Sequence, residues 1–248
     1  MPDEKTRFNP TVWTWAERAA LGGLQAVLAP TGSDQGNLFV HGINSFGALQ
    51  ALRYFPADKL MIDFGCGNGR FARYFALRGR HVLGTEITPE MAIDAKKRCP
   101  SGSCEFVVTD GISIPVADNS IGGIWCCGVL RYSLLVENPC YVEIATEMFR
   151  VLRPGAHVVN CEMWVDIAPT RFIEGFEQAG FRTRRVLVLN RYDGRPERYL
   201  GPRYVPERWL QMSGAVVGWI RSRFDDPNRT RGGLRDYLFI WQKPADNS

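Results

Sequence analysis

Short apolar runs, each closed by a break in the pattern, organise the middle of this chain. Leu60-Met61-Ile62, His81-Val82-Leu83 and the stretches 105–109, 122–127 and 156–164 read as strands. Segments 71–78 and 143–152 instead carry apolar residues at helical spacing. Strands alternating with helices predict an α/β fold with a mostly parallel sheet and helices on both faces. Towards the end, 169–179 reads as a helix with Phe172, Ile173 and Phe176 inward and Gly180 as its stop. Segment 183–189 alternates basic and apolar residues as a strand would, and 236–242 reads as the last strand. Before the first strand, 12–28 looks like one helix, 30–36 is a breaker cluster, and Asn44 or Ser45 is placed to cap a helix running to Tyr54.

The break after the first strand is the most informative. Asp63-Phe64-Gly65-Cys66-Gly67-Asn68-Gly69-Arg70 is a glycine-rich turn at a strand's carboxyl end, where open α/β sheets bind ligands. Glycine at alternate positions lets the backbone turn tightly and approach a ligand. The dinucleotide spacing G-x-G-x-x-G fails here, because Arg70 stands at its third glycine. The second strand ends in Glu86, an acid placed to accept hydrogen bonds from the ribose hydroxyls of an adenosine. Ile87 and Met91 then offer apolar surface to the base, and the third strand ends at Asp110-Gly111. A Rossmann-like domain for another nucleotide fits the same strand-end logic.

The pattern D-x-G-x-G-x-G resembles motif I of the class I S-adenosylmethionine (SAM) methyltransferases of small-molecule type. The run from Phe149 to Ala156, FRVLRPGA, resembles a second signature of that family, and the likeness spans residues 59–164. It implies a seven-stranded, mostly parallel sheet whose last strand is antiparallel, with SAM as the cofactor. It also implies a cofactor site of Asp63, Gly65, Cys66, Gly67, Gly69, Arg70, Glu86, Ile87, Met91, Asp110, Gly111 and Cys127, with Asp110 on the adenine amino group. Residues 1–55 would form a helical cap on a SAM-binding domain of 56–248. The long stretch 191–235 between the last two strands would be an inserted lid, with a short helix near 206–212.

Methyl transfer from a sulfonium depends largely on holding nucleophile and methyl carbon in line. A hydroxyl acceptor also needs a base, whereas an amine need only arrive unprotonated. Related small-molecule enzymes carry a histidine pair or Glu-His after the fourth strand; this chain has Arg131-Tyr132. Tyr132 is therefore a candidate to orient an acceptor or bridge a proton, and Arg131 to hold an acidic group. A helix-start packing pair is the alternative for both. His41, in the N-terminal block, is a candidate base, although lone histidines are often structural. Asp166, just past the fifth strand, is the candidate acid, with capping or solvent exposure as its alternative.

Composition narrows the rest. The chain is 45% hydrophobic and 23% charged, without a run of about 18 apolar residues, so no membrane span is expected. The first thirty residues do not read as a signal peptide. Seven cysteines form no C-x-x-C, and the three histidines are distant from any cysteine pair, so we expect no metal site and a reducing, cytoplasmic setting. Net charge is +4, but residues 182–235 hold thirteen arginines, five acids and no lysine, which puts +8 there and −4 elsewhere. Arginine without lysine suits bidentate contacts to carboxylate or phosphate, unless that surface simply faces water. The expected activity is O- or N-methylation of a small molecule or glycan, anionic or glycosylated. The alternatives are RNA as the acceptor, with the basic insertion on phosphates, and a non-catalytic SAM-binding partner subunit.

Overall fold

A computed structural model of the chain describes residues 14–28, 34–100, 102–134, 140–165, 169–192, 207–227 and 234–245. In chain order the helices are α1 (Trp15–Leu21), α2 (Gly23–Val27), α3 (Asp34–Ala51), α4 (Arg70–Ala76), α5 (Pro89–Arg98), α6 (Leu130–Leu134), α7 (Tyr141–Val151), α8 (Thr170–Gln178) and α9 (Glu207–Phe224). The strands are β1 (Leu60–Phe64), β2 (His81–Glu86), β3 (Cys104–Val108), β4 (Ile121–Cys127), β5 (Leu152–Val165), β6 (Arg182–Tyr192) and β7 (Leu234–Gln242). They form one sheet in the order β3-β2-β1-β4-β5-β7-β6. The first five run parallel, and β7 is antiparallel to both neighbours. The chain order reverses between β1 and β4, and such a reversal opens a crevice at the strands' carboxyl ends.

Successive strand residues face opposite sides, so a strand buried on both faces feeds two cores. Ile124 and Cys126 of β4 join Phe172, Phe176, Phe239 and Trp241 beneath α7 and α8. Trp125 between them joins Phe71, Phe75, Val159, Leu238 and Ile240 beneath α3 and α4. Phe176 stacks on Trp241 at 3.7 Å between centroids.

The structure differs from the sequence reading where packing overrides local signals. Where one helix over 12–28 was expected, the described residues 14–28 hold two short helices, because Gly22 turns the chain at φ +68°. The next helix begins at Asp34, so Asn44 is mid-helix and caps nothing. Burial of Val40, Ile43, Gly47 and Ala51 holds the helix there, and the Asn44 amide donates to Met163 Sδ at 2.9 Å. In the insertion, the short helix expected near 206–212 is the 18-residue α9. It packs against α3 so closely that Gly42 leaves no room for a Cβ beside the Gln211 carbonyl, nor Gly214 beside that of Phe39. Arg191 of β6 pairs with Asp225, just past the helix, at 2.8 Å. Helix α9 thus lies in the layer beside α3 and β6, and no described residue of 191–235 lines the cleft discussed below. No described helix is long and apolar enough to cross a membrane.

Candidate cofactor and acceptor cleft

A cleft opens at the carboxyl ends of β1, β2 and β4, where open α/β sheets bind ligands. Its floor is the 65–69 turn. Gly67 sits at φ +54°, and a Cβ there would lie 2.7 Å from Val27 Cγ1. Gly69, at φ +77°, lets α4 start against Ala95 but does not line the cleft.

Glu86 closes one side. Its Oε2 accepts from the Gly67 amide at 2.7 Å, and its Oε1 from Ile87 and Thr88 at 2.9 and 3.1 Å. Burial pushes its pKa up, while these amides favour the ionised form. The Thr88 side chain bonds this carboxylate as well, so Glu86 is held in place at the cleft's edge. Asp63 is buried beside it, with Oδ2 lacking a hydrogen-bond partner. Burial raises its pKa to about 7, against the opposing pull of Arg70 and the Ala72 amide. A buried orphan acceptor, a second carboxylate and a glycine floor fit a ligand with hydroxyls and positive charge, as SAM has. Glu86, Gly67 and Asp63 would hold it.

The remaining walls are mostly apolar: Trp15, Val27, Ile87, Met91, Val129 and Ile144. A capping box places Trp15, since Thr14 Oγ1 accepts from Glu17 N and Glu17 Oε2 from Thr14 N. Asn68 donates to the Gly23 carbonyl at 2.7 Å, which ties α2 to the glycine turn. Arg18 donates to the Ala26 and Leu28 carbonyls and covers the Trp15 ring. Residues 14–28 are thereby fastened over the cleft.

Of the expected cofactor residues, Asp63, Gly65, Cys66, Gly67, Arg70, Glu86, Ile87, Met91, Gly111 and Cys127 line the cleft together. Asp110 does not: its carboxylate accepts from Ile112 N, Ser113 N and Ser113 Oγ and braces its own turn. Tyr132 lines the cleft and meets Trp15 edge-on at 5.2 Å. His41 sits behind the wall, its Nδ1 3.3 Å from Arg70. Burial first, and Arg70 second, lower its pKa to about 3, so it is a poor proton acceptor. Asp166 lies outside the described residues. Arg131 donates to the Met163 carbonyl at 3.0 Å rather than facing the cleft.

Glu162 is a positioning residue. It is fully buried and accepts from Leu130 N at 2.8 Å, fixing the turn that presents Tyr132. Burial lifts its pKa to about 7. Trp15, Val27 and Ile144 were not expected in the site. Apolar residues on helices carry no chemical signature, and tertiary packing alone brings them here.

Residues 62–160 match the family described as "Methyltransferase domain". Those residues are a class I methyltransferase domain. An uncharacterized methyltransferase of Mycolicibacterium gilvum is 30% identical over 170 residues, covering 63% of this chain and 62% of that protein. The chain spans between 37% and 62% of the length of the curated relatives it matches. A TehB-like SAM-dependent methyltransferase from Corynebacterium glutamicum superposes with a TM-score of 0.55 at 19% identity, over 80% of this chain and 87% of that one. The [4+2]-cyclase SpnF superposes with a TM-score of 0.56 at 19% identity, over 82% and 81%. These likenesses establish the methyltransferase fold. SAM is the cofactor of this domain class.

The Asp63 pKa makes cofactor affinity pH-dependent. A positively charged ligand favours ionised Asp63, so binding below about pH 7 must expel a proton. SAM affinity should therefore rise from about pH 6 to about pH 8, by up to tenfold per unit at the acid end, and level off above. Calorimetry in buffers of different ionisation enthalpy should record proton release at the acid end. Asp63→Asn should flatten the profile, and a flat wild-type profile would remove Asp63 from the site.

Proposed function

We propose that this chain transfers a methyl group from SAM to an oxygen or nitrogen of a small acceptor held against the Trp15–Tyr132 pair. The carrying observation is that the cleft lined by the glycine turn and Glu86 is also lined by Trp15, Val129, Tyr132 and Ile144. When bound, SAM supplies a methyl group on a positively charged sulfur that departs as a neutral thioether. The protein's contribution is placement. Glu86 and the Gly67 turn orient the cofactor, and the apolar wall excludes water and aligns the acceptor.

Few described side chains at the acceptor end can carry a proton. The Ser133 hydroxyl donates to the Leu130 carbonyl at 2.6 Å, which leaves Tyr132. Arg70 is the one cation among the described lining residues, so an anionic acceptor would meet a single guanidinium. This wall supports an acceptor with a flat apolar body, either an amine or an acidic hydroxyl, over a polyanion such as RNA.

The test is incubation with methyl-labelled SAM and a cell extract split into small-molecule, glycan and RNA fractions. Nuclease-resistant label in a small-molecule or glycan fraction is expected. Nuclease-sensitive label would move the acceptor to RNA, and silence with SAM bound would favour a non-catalytic partner subunit. Once the acceptor is identified, Tyr132→Phe should lower kcat about tenfold to a hundredfold for a hydroxyl acceptor, with KM little changed. For an amine acceptor it should change kcat by less than about threefold, since no proton need be removed in the step.

A further inference from the structure

Helix α9 buries one face and leaves the other uncovered. Leu210, Gly214 and Gly218 pack inward, the glycines directly on α3. Outward, Trp209, Met212, Val216, Trp219, Ile220 and Phe224 recur at helical spacing and are 42–80% exposed. Scattered exposed apolar residues need no explanation, but a continuous stripe does. Beside its carboxyl-terminal half, Arg53, Arg185 and Arg223 come from three separate segments to border a recess of about 640 Å³ that Trp219 also lines. None of the three forms an ion pair with a described residue, whereas Arg191 and Arg221 both share Asp225.

We infer that this face docks on a bilayer surface rich in anionic phospholipid. The aromatic stripe enters the interfacial zone, and the three arginines meet headgroup phosphates. Tryptophan and arginine side by side on one exposed helix face suit that boundary, where one part of the surface is apolar and the other charged. The +8 charge of residues 182–235 attracts the protein to such a surface. A second copy fits less well, because a two-fold contact would press the same arginines against each other. RNA would engage the arginines but leave Val216, Ile220 and Phe224 in water. Docking would also bring the membrane near the cleft's back wall. The first turns of α9 lie against Gly42, next to the His41 that contacts Arg70.

The test is flotation of the intact protein with phosphatidylcholine vesicles and with phosphatidylcholine–phosphatidylglycerol vesicles. Co-flotation with the anionic vesicles is expected, weakening as salt rises from about 0.1 M to about 0.5 M because screening shortens the attraction. The double variant Trp209→Glu, Trp219→Glu should lower partition about tenfold or more. Arg185→Glu with Arg223→Glu should weaken it and remove most of its salt dependence. Unchanged SAM affinity in both variants would show that the domain still folds, and it keeps this test separate from that of methyl transfer. Absence of wild-type flotation, or equal flotation with neutral vesicles, overturns the inference. A stable dimer that Trp219→Glu dissociates, without lipid binding, would assign the face to a second copy instead.

Discussion

Gly67→Val is expected to abolish measurable SAM binding. The residue sits at φ +54°, where a β-branched side chain costs about 1–3 kcal/mol. Its Cβ would also lie 2.7 Å from Val27 Cγ1, so α2 must move away from the turn it covers. The Gly67 amide that meets Glu86 would be pulled out of register. Together these should weaken SAM at least about a hundredfold, or about 2.7 kcal/mol. Gly79→Ala provides the control. Gly79 also has a left-handed φ, +74°, but a Cβ there meets nothing within 4 Å. It should lower the melting temperature slightly and leave SAM affinity alone. Isothermal calorimetry separates the two, and near-normal SAM affinity in Gly67→Val would remove the glycine turn from the cofactor site.

Glu86→Ala should be the most costly single change for fold and site together. It strips the acceptor from the amides of Gly67, Ile87 and Thr88 at once. An unsatisfied buried amide costs about 1–3 kcal/mol. Relief from burying a carboxylate, and water entering from the cleft, offset part of that. The net loss of stability should be about 2 kcal/mol. SAM affinity should fall about tenfold to a hundredfold, because the ribose loses its acceptor and the Gly67 turn its anchor. Glu86→Gln, which keeps one carbonyl acceptor, should lie between. Thermal unfolding with and without SAM reads both effects. A variant that loses stability but keeps full SAM affinity would make Glu86 a brace of the turn alone.

The strand-end chemistry was readable in the sequence because it is local. Asp63, Gly65, Gly67 and Glu86 follow directly from where apolar runs stop, and the structure brings them to one cleft. The seven-stranded, mostly parallel sheet with its antiparallel last strand was accessible through the resemblance, whereas the strand order came from the structure. Asp110 shows the limit even of that. It follows the third strand as expected, yet its exposed side chain accepts from three donors in its own loop. A carboxylate's partners are not written in its spacing.

What only the tertiary structure decided concerns contacts between distant segments. Trp15 faces Tyr132 across 117 positions of chain, and Glu162 sets that tyrosine's turn from the neighbouring strand. His41 loses its appeal as a base because burial and Arg70 together hold it neutral, a condition invisible from a lone histidine in a sequence. The insertion's length suggested a lid; its one described helix lies against α3, where glycines at 42, 214 and 218 allow close approach, and 193–206 and 228–233 lie outside the described residues. By itself, then, the sequence determined the parallel sheet, the glycine turn and the paired acids of a nucleotide-type cleft, because strand ends and turn residues act over a few positions. The acceptor wall, the side-chain partners and the outward apolar face of α9 were decided by tertiary packing, because burial and proximity depend on which helices the sheet brings side by side.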